Sequence, residues 1–196
     1  MTNHISAFHV AAFLLHLDQE TSKQSLEYRT KWEPITNLKL QKLLYYCQAN
    51  TLLSSELPLF KNKIIAWKYG PVVKEVYEKY SEFKADFLYQ KIRIPNNILS
   101  LDKVYRDSIE YIYNQFRDEG SNILIIRTRN EMPWINAYQT LGVGSEIKSS
   151  AIYRYYFNKT GFKPVPVEKS NIFIVLINLF KKHILKKSGF NELIHS

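Results

Sequence analysis

The sequence has one cysteine, six glycines and two methionines in 196 residues, and each shortage removes a class of answer. A single thiol, Cys47, excludes an intramolecular disulfide framework. The scattered glycines form no Gly-rich phosphate loop. No run of about 18 uninterrupted apolar residues occurs, so no ordinary membrane-spanning helix is expected. The opening stretch "MTNHISAFHVAAFLLHLDQE" lacks the basic n-region and small-residue cleavage site of a secretory signal, and the chain is expected in the cytoplasm.

Catalytic and metal-binding patterns are equally thin. His4, His9 and His16 lie in or beside the first apolar segment, the other two histidines lie near the end of the chain, and none forms an i,i+4 pair or a His-x-x-Glu pair suited to a metal. Cys47 sits on an apolar stripe, where a thiol packs as a small hydrophobe. No paired-carboxylate motif stands out. The sequence reads as a non-enzyme with no metal and no cofactor.

Apolar residues make up 45% and aromatic residues 14% of the chain, enough for one well-buried domain and an appendage. The net charge of +9 is uneven. From Lys159 onward there are seven Lys against two Glu, a net +5, whereas residues 1–158 hold 20 basic against 16 acidic residues, a net +4. The body is therefore only mildly basic, which argues against a nucleic-acid binder. Tyrosines in "RDSIEYIYNQF" and "AIYRYYFN" fall at helical spacing and read as packing residues rather than a base-stacking platform.

The periodicity predicts a mainly α fold, a compact helical domain with a small two-stranded β ribbon and a C-terminal helical extension. Ser6–Leu17 is apolar on almost every side and reads as a buried first helix at the heart of the core. Thr21–Trp32 reads as a loop with some helix. Thr36 is a plausible N-cap for a helix over 36–54, with Leu40, Leu43, Leu44, Cys47 and Thr51 on one stripe. Ile64–Trp67 reads as a short strand, and Ile92 and Ile94, alternating with charge before Pro95, supply its expected partner. Helical spacing returns at Val72, Val76, Tyr80 and Phe83, again from Leu101 to Phe116, after Gly120–Ser121, at Pro133–Trp134, and over Ile147–Tyr156 beyond a turn at Gly142–Ser145.

The stretch "AWKYGPVV" at 66–73 stands out. Gly70 and Pro71 are expected to turn the chain sharply into the following helix. Trp67 and Val72 are expected to close the core with Leu40, Leu43 and Leu44. Lys68 and Tyr69 are expected to rim a partner groove whose edge Gly70 and Pro71 fix, since tyrosine is enriched at interfaces.

Three blocks in order, "ITNLKLQKLLYYCQA", "LPLFKNKIIAWKYGPVVKEVYEKY" and "RTRNEMPWINAY", resemble the signature of the Panacea domain, a SocA-like, phage-associated antitoxin family. The resemblance runs from about Ser6 to Asn158. Leu38, Leu40 to Tyr46, Pro58 to Phe60, Ala66, Trp67 and Tyr69 to Val72 match position for position. In the third block Glu131, Pro133 and Trp134 match, while Arg129 stands where the family commonly has histidine. The resemblance implies a non-catalytic antitoxin that neutralises a cognate protein toxin by direct binding; one relative delivers its toxin to a AAA+ protease. It places Arg129, Glu131 and Trp134 with Lys68, Tyr69, Gly70 and Pro71 among candidate partner-binding residues.

The chain thus divides into a Panacea-like domain (1–158), a linker with two prolines (159–170) and a basic amphipathic extension (171–196). In the extension, Ile172–Phe180 is apolar apart from Asn178 and is followed by Lys181, Lys182, Lys186 and Lys187. Such a segment needs a cover: the domain itself, a partner or second copy, or an anionic membrane surface met by residues 171–187. The rival readings to an antitoxin are accordingly a nucleic-acid-binding regulator and a membrane-surface protein acting through this tail.

Overall fold

The structure, a computed structural model, describes residues 5–28, 31–94 and 101–160. Seven α-helices and one two-stranded antiparallel sheet are found among them. The expected linker beyond Thr160 and the extension over 171–196 lie outside the described residues.

Helix α2 (Asn37–Ser55) is the axis of the fold. Helices α1 (Ala7–Tyr28), α4 (Lys103–Phe116), α5 (Ser121–Arg129) and α7 (Ser149–Thr160) pack around it, together with the β ribbon and the short α3 (Lys74–Lys79). Thr36 caps α2 as its sequence position predicts, its hydroxyl accepting the Lys39 N–H. The single apolar stripe expected of α2 is only part of the answer, because residues 39–53 are buried on every side. Leu40, Leu43, Leu44 and Cys47 meet the apolar core, and the polar positions between them are buried too. Helix α1 is largely buried, with Ala7, Val10, Ala11, Phe13, Leu14 and Leu15 in the core and His9 exposed, although α2 and not α1 is the helix that most elements pack on. It also runs on to Tyr28 through the segment read as a loop, because Thr21 and Ser22 keep the buried face going while Lys23 pairs with Glu20 on the outer one.

The ribbon forms, but with a different partner. Strand β1 (Ile64–Trp67) pairs antiparallel with β2 (Gly70–Val73), not with residues 92–94, in the register Ile64↔Val73, Ile65↔Val72, Ala66↔Pro71 and Trp67↔Gly70. Gly70, at φ +97°, lets the chain reverse over only Lys68 and Tyr69. The Gly-Pro pair therefore opens a strand, and α3 starts three residues after Pro71. Ile92 and Ile94 pack half-buried against the core instead, where the Gln19 side chain donates to the carbonyls of Tyr89 and Ile92.

Both outer edges of this small sheet are covered. Along β1, Ala66 N–H donates to Ser145 C=O, while Gly144 and Ile147 N–H donate to Ala66 and Ile64 C=O. Along β2 the cover is α2: Gln41 Oε1 accepts the Val73 N–H and Lys42 Nζ donates to Pro71 C=O at 2.8 Å. Pro71 has no N–H to lose, so it tolerates an edge where a third strand is replaced by two side chains.

Helix α5 starts after Gly120, and α6 (Met132–Ile135) starts after Glu131 with Pro133 in its first turn. A π-helical turn, Asn136–Leu141, follows directly and leads into the Gly142–Ser145 turn that lies along β1.

Candidate partner-binding site

The first block of the sequence signature turns out to be a set of buried clamps. Asn37 donates to Tyr77 C=O, and Lys39 donates to the carbonyls of Glu33 and Arg117, closing the C-terminal end of α4. Gln48 clasps the Phe60 peptide from both sides, donating to its C=O at 3.1 Å and accepting its N–H at 3.2 Å. Each of these side chains supplies a backbone group with a hydrogen bond in place of water, which is what makes buried polar residues tolerable on a central helix. Burial pulls the Lys42 ammonium down to about 7. It pulls Lys39 down to about 8, against the opposing pull of Asp18, Glu33 and other acids nearby.

Glu131 is the second buried anchor. Tyr45 donates to its carboxylate at 2.7 Å and Tyr156 at 2.8 Å, so one side chain ties α2 and α7 to the start of α6. Burial raises the Glu131 carboxyl above its ordinary value, with the two phenol hydrogen bonds opposing the rise. Cys47, also fully buried, has its thiol pushed well up by the same cause, which removes it as a nucleophile at neutral pH. Among the described residues no cluster of three or more His, Cys, Asp or Glu is arranged to hold a metal.

The β hairpin, α5 and α6 are locked together at one place. Trp134 donates its indole N–H to Trp67 C=O at 3.0 Å and stacks on Tyr138 with ring centroids 4.6 Å apart. Arg129 lies 5.2 Å over the same Trp134 ring. On the other flank of the turn, a Cβ added to Gly70 would sit 2.8 Å from Thr128 Oγ1 and 3.0 Å from Lys42 Nζ, so the hairpin is pressed against α5 with no room for a side chain. Trp67 is half-buried, set edge-on to Tyr77 at 5.1 Å, rather than closed into the core; Val72, at 2% exposure, is core.

The candidate residues therefore separate into two layers. Gly70, Pro71, Glu131 and Trp134 are buried and hold the junction. Lys68, Tyr69 and Arg129 are exposed on it. Beside Arg129 the chain exposes two apolar residues that sequence reading passed over: Ile126, one turn before it on α5 and 58% exposed, and Met132, 49% exposed at the first position of α6. Tyr69 itself is 51% exposed. No periodic signal marks Ile126 or Met132 as surface; only the placement of α5 against β2 does.

Elsewhere, a cavity of about 200 Å³ lies between residues 58–64 and the start of α7. Lys63 and Glu146 on its wall pair with each other at 3.2 Å. No described helix is long and apolar enough to cross a membrane.

The "Antitoxin SocA-like, Panacea domain" family profile matches residues 40–135, the span from the first turn of α2 to the end of α6 that contains the hairpin and its Gln41, Lys42 and Trp134 contacts. Antitoxin SocA of Caulobacter vibrioides (strain NA1000 / CB15N) is 30% identical over 148 residues, covering 68% of this chain and 78% of that protein. No solved structure matches the chain significantly. With the Gln41, Lys42 and Gln48 clamps, the hairpin and the Glu131–Pro133–Trp134 turn inside the matched span, the chain belongs to the antitoxin SocA-like, Panacea domain family.

Proposed function

We propose that this protein is the antitoxin of a toxin–antitoxin pair and that it neutralises a cognate protein toxin by binding it directly, without catalysis. The observation that carries the reading is the hairpin tip: Tyr69, half-exposed, is held on a turn fixed from both flanks by Trp134 and Thr128, in a chain that belongs to an antitoxin family. A rigid aromatic at the centre of a surface costs little entropy to dock, and tyrosine and arginine are the residue types most often dominant in interface energetics. Lys68, Tyr69 and Arg129 would touch the toxin. Gly70, Pro71, Glu131 and Trp134 would hold them in place.

The test is co-expression. A small protein encoded beside this chain, toxic when produced alone, should be neutralised by the wild type and less so by Tyr69→Ala, with the two antitoxins folded equally by circular dichroism. Undiminished neutralisation by Tyr69→Ala removes the hairpin tip from the interface. In the same reading residues 1–158 form the binding domain, 159–170 a linker, and 171–196 an extension that tunes which toxin is bound. Removing residues 165–196 should then leave a folded protein that no longer neutralises, whereas tail-dependent flotation with anionic liposomes would assign the extension to a membrane surface instead.

A further inference from the structure

The exposed layer at the hairpin junction has a definite chemistry. Its charged members are both cations, and neither has a carboxylate: Lys68 and Arg129 take part in no ion pair and no hydrogen bond among the described residues. Lys23, Lys63, Lys74, Lys91, Lys103, Arg117 and Arg127 each have an acidic partner, and Lys68 and Arg129 belong with the exposed cations that have none. Lys68 and Arg129 contact rings instead, Lys68 at 5.6 Å from the Tyr69 ring and Arg129 at 5.2 Å from that of Trp134.

The ring contact orders the guanidinium without using its in-plane donors. Trp134 is 2% exposed, bonded to Trp67 C=O and stacked on Tyr138, so it is a fixed platform. A guanidinium resting on such a face keeps its planar fork of N–H groups for a carboxylate, the geometry in which arginine binds two oxygens at once. Tyr69 adjoins Lys68 on the turn, and Ile126, one turn before Arg129 on α5, and Met132, at the start of α6, flank Arg129 along the chain; all three are about half-exposed. The Tyr69 hydroxyl has no hydrogen-bond partner among the described residues.

We infer that the hairpin junction is a docking surface for an acidic segment of a protein partner, one that sets carboxylates against Lys68 and Arg129 and lays a bulky apolar side chain against Tyr69, Ile126 and Met132. Charge complementarity names the occupant. The basic tail of this chain and a second copy of this junction would both bring like charge to Lys68 and Arg129. A nucleic-acid backbone would match the two cations but would leave Ile126 and Met132 against phosphate and sugar, where apolar side chains gain nothing. The inference rests on the antitoxin reading only in identifying that partner as the toxin; the chemistry of the surface stands apart from it.

The experiment is selection of random 12-residue peptides on the purified full-length chain in about 150 mM salt, with counter-selection on the Lys68→Gln/Arg129→Gln protein. Enriched peptides are expected to carry net negative charge and at least one large apolar residue. A selected peptide, labelled and measured by fluorescence anisotropy, should bind at least tenfold more weakly to Arg129→Gln and to Tyr69→Ala. All three variants change exposed residues and should unfold at the wild-type midpoint. Failure to enrich any sequence, enrichment of neutral or basic peptides, or equal binding to the variants overturns the inference. So does a single-stranded or duplex 20-mer that binds the wild type more tightly than the peptides and loses that affinity in the double variant. Acidic peptides that bind while co-expression shows no neutralisation would retain the surface and remove the antitoxin reading; neutralisation that survives Lys68→Gln/Arg129→Gln would do the reverse.

Discussion

Replacing Lys42 by methionine should change how stability depends on pH, by an amount that follows from the clamp geometry. Lys42 is fully buried, donates to Pro71 C=O and is in no ion pair among the described residues; burial alone pulls it down to about 7. In the unfolded chain a lysine titrates near 10.4. Between those values the unfolded state holds a proton that the native state has released, so native stability rises with pH across that window. One proton corresponds to about 1.4 kcal/mol per pH unit. Going from pH 7, where the native lysine is half-protonated, to pH 9 should stabilise the wild type by about 2 kcal/mol relative to Lys42→Met. Lys39 and the surface groups titrate in both proteins and cancel in the comparison. Methionine keeps the length of the side chain while removing the charge and the bond to Pro71, so the variant has an offset in stability that is the same at both pH values. Urea unfolding of the two proteins at pH 7 and pH 9 measures the difference. A wild-type advantage that is flat to within about 0.5 kcal/mol would mean that Lys42 reaches water in the native state, and that the β2 edge is not closed by α2 in the way described.

Other perturbations bear on the same framework. Gly70→Ala forces a side chain into a positive-φ position 2.8 Å from Thr128 Oγ1 and should cost about 2–4 kcal/mol in chemical denaturation, with the damage centred on the hairpin; a loss under about 0.5 kcal/mol would refute the close packing. Leu43→Asp puts an unpaired charge at a fully buried position of α2 and should prevent cooperative folding or cost several kcal/mol, against which a soluble variant with a wild-type midpoint would count. For Glu131 the native carboxyl is raised above its unfolded value, so the native state binds the extra proton and the wild type should gain on Glu131→Gln as pH falls from 7 towards 4.5; a loss over that range would reverse the assigned direction. Gln48→Ala strands both the N–H and the C=O of Phe60 and should cost about 2 kcal/mol, read as a lowered urea midpoint.

The helices were legible where burial followed one face. Val76 sits on the buried face of α3 as its spacing implies, although Val72 proves to be a strand residue and the helix ends at Lys79, and Thr36 announces α2 by its hydroxyl. What periodicity misses is a helix buried all round: Lys39, Gln41, Lys42 and Gln48 look like a solvated face until each is seen bonded to a backbone group of a neighbouring segment. The signature block is informative for the same reason, since its polar letters are the fold's internal connectors. The ribbon was misregistered because alternation at Ile92 and Ile94 is a stronger strand pattern than "GPVV", whose strand depends on one positive-φ glycine and on support from Gln41, Lys42 and Trp134, which reach it only through tertiary contact. The candidate site was half readable. Lys68 and Tyr69 follow from their place beside Gly70, but the division between buried holders and exposed contacts, and the entry of Ile126 and Met132, come from how α5 and α6 meet the hairpin.

The most direct test of the account is calorimetric titration of the purified chain with the purified product of an adjoining toxin gene, in parallel with Tyr69→Ala and Arg129→Gln. The account predicts a stable complex with the wild type and at least tenfold weaker binding by each variant, with unfolding midpoints unchanged. Binding of equal strength by all three proteins, or no binding by the wild type to a toxin that it neutralises in cells, would contradict it.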